Sequence, residues 1–139
     1  MNKFWQTISK KDFIFGIIIL VLVVIISFKP SNKVRFTFGE DSVDIKTTRY
    51  TMNIPYHMID SATLVQKPDM GQKMDGFTDD IIATGIWSNE AWGEYTACIE
   101  VATDNCIVIA LTDGQTFVVS RRDNEETKKV FEEFQTYIS

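Results

Sequence analysis

Residues 13–28, FIFGIIILVLVVIISF, carry no charge, and only Gly16 and Ser27 are not strongly apolar. A helix in a water-soluble core ordinarily keeps a polar stripe, and this run has none. At roughly 1.5 Å per helical residue it reaches about 24 Å. A bilayer's hydrocarbon core is about 30 Å thick. Lys11 and Lys29 flank the run and can lay their methylenes along it, with their amines at the headgroups. Counted between those lysines the reach is about 28 Å. A cleaved signal peptide is the rival reading, with an apolar region of about 7–15 residues and a small-x-small cleavage site. Ile26-Ser27-Phe28-Lys29-Pro30 is a poor cleavage site. The run therefore predicts a single-pass transmembrane helix over 13–29, a cell-membrane location, and contact with the lipid bilayer through residues 13–28. Lys3, Lys10 and Lys11 precede it, and Lys29, Lys33 and Arg35 follow. That balance leaves the orientation open.

The remainder divides around this run. Residues 1–12 form a juxtamembrane tail, either an interfacial helix with Phe4, Trp5 and Ile8 on one face or a disordered segment. Residues 30–33 form a short linker, and 34–139 form one domain of about 105 residues, an ordinary domain size. The 139-residue chain has a net charge of −5, but the charge is unevenly placed. From Phe36 onward eight basic and eighteen acidic residues leave −10. Nucleic acid and anionic lipid carry the same sign, so neither is an expected partner of the domain.

Period-two alternation dominates the domain. Val34, Phe36 and Phe38 alternate with Arg35 and Thr37; Val43 and Ile45 with Asp44 and Lys46; Tyr50, Met52 and Ile54 with Thr51 and Asn53. A fourth strand is expected around Ala62–Gln66. Residues 67–94 hold Pro68 and four glycines (71, 76, 85, 93), which forbid a long helix. They read as an extended loop with a short strand near Ala83–Trp87. Tyr95, Ala97, Ile99 and Val101 mark the next strand. A tight turn at Thr103-Asp104-Asn105 is expected to fold it directly onto residues 106–112. Asp113-Gly114, a preferred hairpin dipeptide, leads to 115–120. Asp123 or Asn124 can cap a final helix whose Val130, Phe131, Phe134, Tyr137 and Ile138 share a face.

Few residues carry recognisable chemistry. His57 is the lone histidine, and no nucleophile–base pair accompanies it, so it reads as structural and the chain as non-enzymatic. Asp69, Asp75, Asp79 and Asp80 crowd the glycine-rich segment, but their spacing does not match a calcium loop. Cys98 and Cys106 lack the pattern of a zinc site. In the expected hairpin they lie too far apart to bridge, and Cys98 falls on the more exposed face. No metal and no cofactor are expected. Phe77, Trp87 and Trp92 lie in or beside the glycine-rich segment, as partner-binding anchors or as a cover for the core. An extended peptide could instead add to an open sheet edge.

IPYHMIDSATL (54–64), MDGF followed by IIATGIWSNEAWGEY (74–95), NCIVIALTDGQTFVVS (105–120) and NEETKKVFEEF (124–134) resemble the bacterial pleckstrin-homology-like domains of the small membrane-anchored type. The resemblance implies a mainly β, α+β fold: a PH-like curved antiparallel sandwich or partly open barrel of about seven strands, capped by a C-terminal helix and preceded by the transmembrane helix. It implies no catalytic residue. Lipid-binding members use cations in the first hairpin, whereas Gly39-Glu40-Asp41-Ser42 offers two carboxylates, so phosphoinositide binding is not expected. The expected function is a membrane-anchored docking module for a protein or peptide. The alternative is a membrane-tethered sensor or regulator that binds a cation or small ligand through the acidic glycine-rich loop.

Overall fold

The computed structural model describes residues 9–27 and 33–138, without the side chains of 24–27. The chain divides into two units, Met1–Ser31 and Asn32–Ser139. The expected tail at 1–12 and linker at 30–33 lie largely outside the described residues.

In the first unit, helix α1 runs over Lys10–Ser27. Ser9 caps it: its carbonyl accepts the Phe13 N–H at 3.1 Å and its Oγ the Asp12 N–H at 3.2 Å. Among the described residues no helix is long and apolar enough to cross a membrane. Lys10, Lys11 and Asp12 occupy the first turn of α1. The described apolar part, 13–27, reaches about 22 Å at the helical rise, against a hydrocarbon core of about 30 Å. Flanking lysine methylenes do not substitute for helix that is not apolar. The expected single-pass transmembrane helix over 13–29 and the cell-membrane location are corrected accordingly.

The second unit is mainly β. Its elements are β1 (Arg35–Phe38), β2 (Ser42–Lys46), β3 (Thr51–Pro55), a 3-10 turn (Tyr56–Met58), β4 (Ile59–Gln66), β5 (Gln72–Thr78), β6 (Ile82–Asn89), β7 (Gly93–Glu100), β8 (Asn105–Leu111), β9 (Thr116–Val119) and helix α2 (Asn124–Ile138). The first three strands form one antiparallel sheet, and the rest form a six-stranded sheet in the order β4-β8-β9-β7-β6-β5. A mainly β domain closed by a C-terminal helix is what the alternation foretold. The fold class expected from the resemblance is corrected in its other particulars. No transmembrane helix precedes the domain among the described residues, the described strands number nine in two sheets, and β7 pairs with β9 in parallel.

The parallel pair also overturns the expected β7–β8 hairpin. The β8–β9 hairpin turns through Asp113 and Gly114, and β9 then slots between β8 and β7. The Thr103–Asn105 turn is held by the side chain of Asn124, whose Oδ1 accepts the Asp104 and Asn105 N–H groups at 3.1 and 3.0 Å. Asp123 is the residue that caps α2, accepting the Glu126 N–H at 2.8 Å.

The principal core lies between the two sheets and α2. Val43, Ile45, Met52 and Ile54 point from the small sheet toward Ile82, Cys98, Ile107, Ile109 and Val119 of the large one, and Phe134 of α2 closes the layer. Phe36 and Phe38 meet Phe134 edge-on at 6.2 and 5.0 Å between ring centroids, the preferred arrangement of aromatic quadrupoles. The opposite face of the large sheet carries a second cluster of Trp87, Tyr95, Ala97, Ile99, Cys106 and Val118. Burial on both faces explains the unbroken apolar run Cys106–Leu111 of β8 and the burial of successive residues Ala97–Glu100 of β7. It also corrects the expected exposure of Cys98, which is fully buried against the principal core. Burial pushes its thiol up to about 12. Cys106 lies in the second cluster, and both cysteines are free thiols.

Candidate functional site

The segment read as a glycine-rich loop is largely a hairpin of β5 and β6. The glycines are part of its pairing. Gly76 lies opposite Gly85, next to a bulge between Lys73 and Asp75. Gly85 has φ +94, and a Cβ there would sit 2.5 Å from the Asp75 carbonyl oxygen and from the Gly76 Cα. The two backbones approach too closely for any side chain. The Asp79 carboxylate builds the turn by accepting the Ile81 and Ile82 N–H groups, each at 2.8 Å. Those two bonds favour its charged form and hold its pKa below the ordinary value.

The three aromatic candidates do not form one site. Phe77 packs toward the principal core, with the Arg49 guanidinium 4.1 Å above its ring. Trp87 is buried in the second cluster and donates its indole N–H to the Thr84 carbonyl at 3.2 Å. Trp92 is half-buried and meets Tyr95 edge-on at 5.1 Å. Phe77 therefore sits on one face of the sheet, while Trp87 and Trp92 cover the other. His57 is exposed in the turn between β3 and β4.

A strap, residues 67–71, crosses the end of the second cluster. Tyr95 donates its hydroxyl to the Met70 carbonyl at 2.6 Å, and Asn89 donates its amide to the Asp69 carbonyl at 3.0 Å. Burial raises the Tyr95 phenol to about 12, which keeps it a donor. Gly71, at φ +84, lets the strap pass so close to β6 that a Cβ would fall 2.0 Å from the Ser88 carbonyl oxygen. Between strap and hairpin lies an open depression of about 730 Å³, whose lining includes Asp69, Ser88, Asn89 and Glu90. It lies at the N-terminal end of β5, where Gln72 pairs with Ser88.

The strand that leaves this strap, β5, forms an open edge of the large sheet. β5 has a hydrogen-bonded neighbour on one side only. Its residues are exposed from Gln72 to Gly76, with Met74 55% exposed. The opposite edge, β4, is partly covered by α2: Gln135 donates its amide to the Ala62 carbonyl at 3.3 Å, and Val130 and Phe131 join the core beside Ala62 and Leu64. The small sheet also has edges, but β1 has four residues and β3 has five, the last being Pro55.

A buried polar cluster, unnoticed in the sequence, holds the start of α2. Glu100 on β7 accepts the Val34 N–H at 3.4 Å through Oε2, and the Arg121 Nε lies 3.4 Å from the same oxygen. Arg121 also reaches Glu126 of α2 at 3.6 Å. Burial is the main cause that raises the Glu100 carboxyl; the Val34 N–H and Arg121 oppose it. Only the apolar context of β7 hinted at this, since a lone Glu at the end of a strand ordinarily faces water.

Among the described residues no three or more His, Cys, Asp or Glu side chains gather as metal ligands. The Asp69 and Asp79 carboxylates bond to backbone N–H groups of their own turns. No family model, curated protein or solved structure matches the chain.

Proposed function

We propose that the Asn32–Ser139 unit is a non-enzymatic binding module that takes up an extended segment of a protein or peptide along β5. The observation that carries this reading is the difference between the two edges of the large sheet. β4 is partly covered by α2, while β5 is seven residues long and exposed except at Phe77. An added strand would find about 24 Å of unpaired backbone. Main-chain hydrogen bonds would supply affinity, and side chains flanking the edge would supply selectivity. Lys73, Asp75 and the neighbouring bulge make indiscriminate pairing unfavourable. A partner must therefore match the edge in shape and charge.

Selection of a linear peptide library on the full-length protein, followed by amide hydrogen exchange with the recovered peptides, tests this. New protection should concentrate in residues 72–78. Protection elsewhere, with β5 unchanged, would sink the proposal.

A further inference from the structure

The edge and the depression at its end also bear on the chemistry of the partner. The charges of β5 itself balance, Lys73 against Asp75, but the segment that supplies the strap, β5 and β6 is predominantly acidic. Residues 67–94 contain six acidic residues (Asp69, Asp75, Asp79, Asp80, Glu90, Glu94) and two basic ones (Lys67, Lys73). One of those cations is already engaged, since Lys67 donates its amine to the Val101 carbonyl at 2.7 Å. The nearby cation of Arg49 lies over the Phe77 ring. Asp69 and Glu90 line the depression where β5 begins, together with the neutral polar groups of Ser88 and Asn89. No residue of β5 lines the depression, but Gly71, which immediately precedes β5, does. A strand laid on β5 lies on the side away from β6, so a long side chain level with Gln72 would reach the depression around the end of β5.

We infer that the segment taken up along β5 is basic, and that a lysine or arginine side chain of that segment occupies the depression beside Asp69 and Glu90. This rests on β5 being the recognition edge. An acidic segment would face like charge at Asp75 and at the strand's end by Asp69 and Glu90, which suppresses wrong partners and slows encounter. A basic segment is steered toward the edge, with a dependence on ionic strength that an apolar partner would not show. The depression then adds a preference for position: the cation belongs at the end of the paired segment, level with Gln72, whose partner on β6 is Ser88.

The test uses the isotopically labelled full-length protein and two synthetic ten-residue peptides, one alternating threonine with lysine and one alternating threonine with glutamate. Amide exchange and chemical shifts are followed at low and high salt, in the wild type and in an Asp69→Asn/Glu90→Gln variant. Both replacements preserve side-chain acceptors, so the Asp69 bond to the Gly71 N–H at 2.9 Å can persist. The lysine peptide should protect residues 72–78, shift 88–91, and weaken as salt rises. The double variant should bind it roughly three- to tenfold more weakly, the size expected for two exposed charge contacts. The glutamate peptide should do neither. Equal protection of β5 by both peptides would overturn the basic partner and leave the edge reading standing. Binding of the lysine peptide that leaves 72–78 unprotected would overturn both. Unchanged affinity in the double variant would remove the depression from the site.

Discussion

The two edges of the large sheet face the same physical problem and meet it differently. An unpaired strand presents backbone donors and acceptors that another chain can use. At β4 the problem is reduced by coverage. Helix α2 lies beside the strand, Gln135 satisfies the Ala62 carbonyl, and Phe134 fixes the helix in the core. At β5 nothing among the described residues covers the strand, and a bulge and two charges limit what can pair with it. One edge is partly covered by a helix, and the other is open with a bulge and two charges. A domain that buried both in the same way would have no comparable place for an extended partner.

The comparison can be broken most severely at the partly covered edge. Phe134→Ala removes a fully buried ring that two phenylalanines meet edge-on. The expected loss is about 3–5 kcal/mol. Chemical denaturation should show it, with faster amide exchange in β4 than in β5 at concentrations where the domain stays folded. The next largest effect is expected on the open side. Gly85→Ala places a methyl where the Asp75 carbonyl and Gly76 Cα already stand and keeps a φ of +94 that alanine resists. It should cost about 2–3 kcal/mol, detach β5 from β6, and abolish peptide protection at 72–78 without loosening β4. If β4 loosens equally, the edges are not independent.

The unequal legibility of the two edges has a physical cause. Strands that bury one or both faces leave a pattern, as in Val43 and Ile45, or the run from Ile107 to Leu111. β5 is exposed over nearly its whole length, so QKMDGFT carries no apolar alternation, and its glycine resembles a loop signal. The Gly76–Gly85 juxtaposition is a property of pairing and is invisible until the partner strand is known. Phe77, Trp87 and Trp92 are near one another in sequence, but strand geometry sends them to opposite faces. The acidity of the segment could be read directly; the depression it lines needed the strap. The apolar run at 13–28 shows the converse. Its hydropathy is unmistakable, yet membrane span depends on the length of apolar helix, and among the described residues no helix is long and apolar enough.

Two smaller changes sharpen the contrast. Gln135→Ala should cost about 1 kcal/mol and raise exchange near Ala62 while leaving peptide binding at β5 unchanged. Glu100→Gln should act mainly on slope. The folded protein raises the Glu100 carboxyl above its ordinary value, so the folded state binds that proton more tightly than the unfolded state. Its stabilising contribution is full below the ordinary glutamate range and is lost as pH rises through the raised value. The glutamine variant, which can still accept the Val34 N–H, should therefore show a flatter dependence of melting temperature on pH in that window. An unchanged slope would assign the dependence to another group.

The parallel register of β7 and β9 spans only Thr96–Cys98 against Phe117–Val119. On one side of it lies a meander of neighbouring hairpins, β5-β6-β7; on the other, the β8–β9 hairpin with β4 laid against it. The large sheet is thus two three-stranded halves sewn along a short seam whose two sides are separated in the chain by the whole of β8. Each hairpin can form from local contacts, but the seam requires a longer loop to close before it gains anything. The β4–β8 pairing closes a longer loop still, so the β5-β6-β7 meander, which ends at the open edge, is the one half of the large sheet that local contacts alone can build.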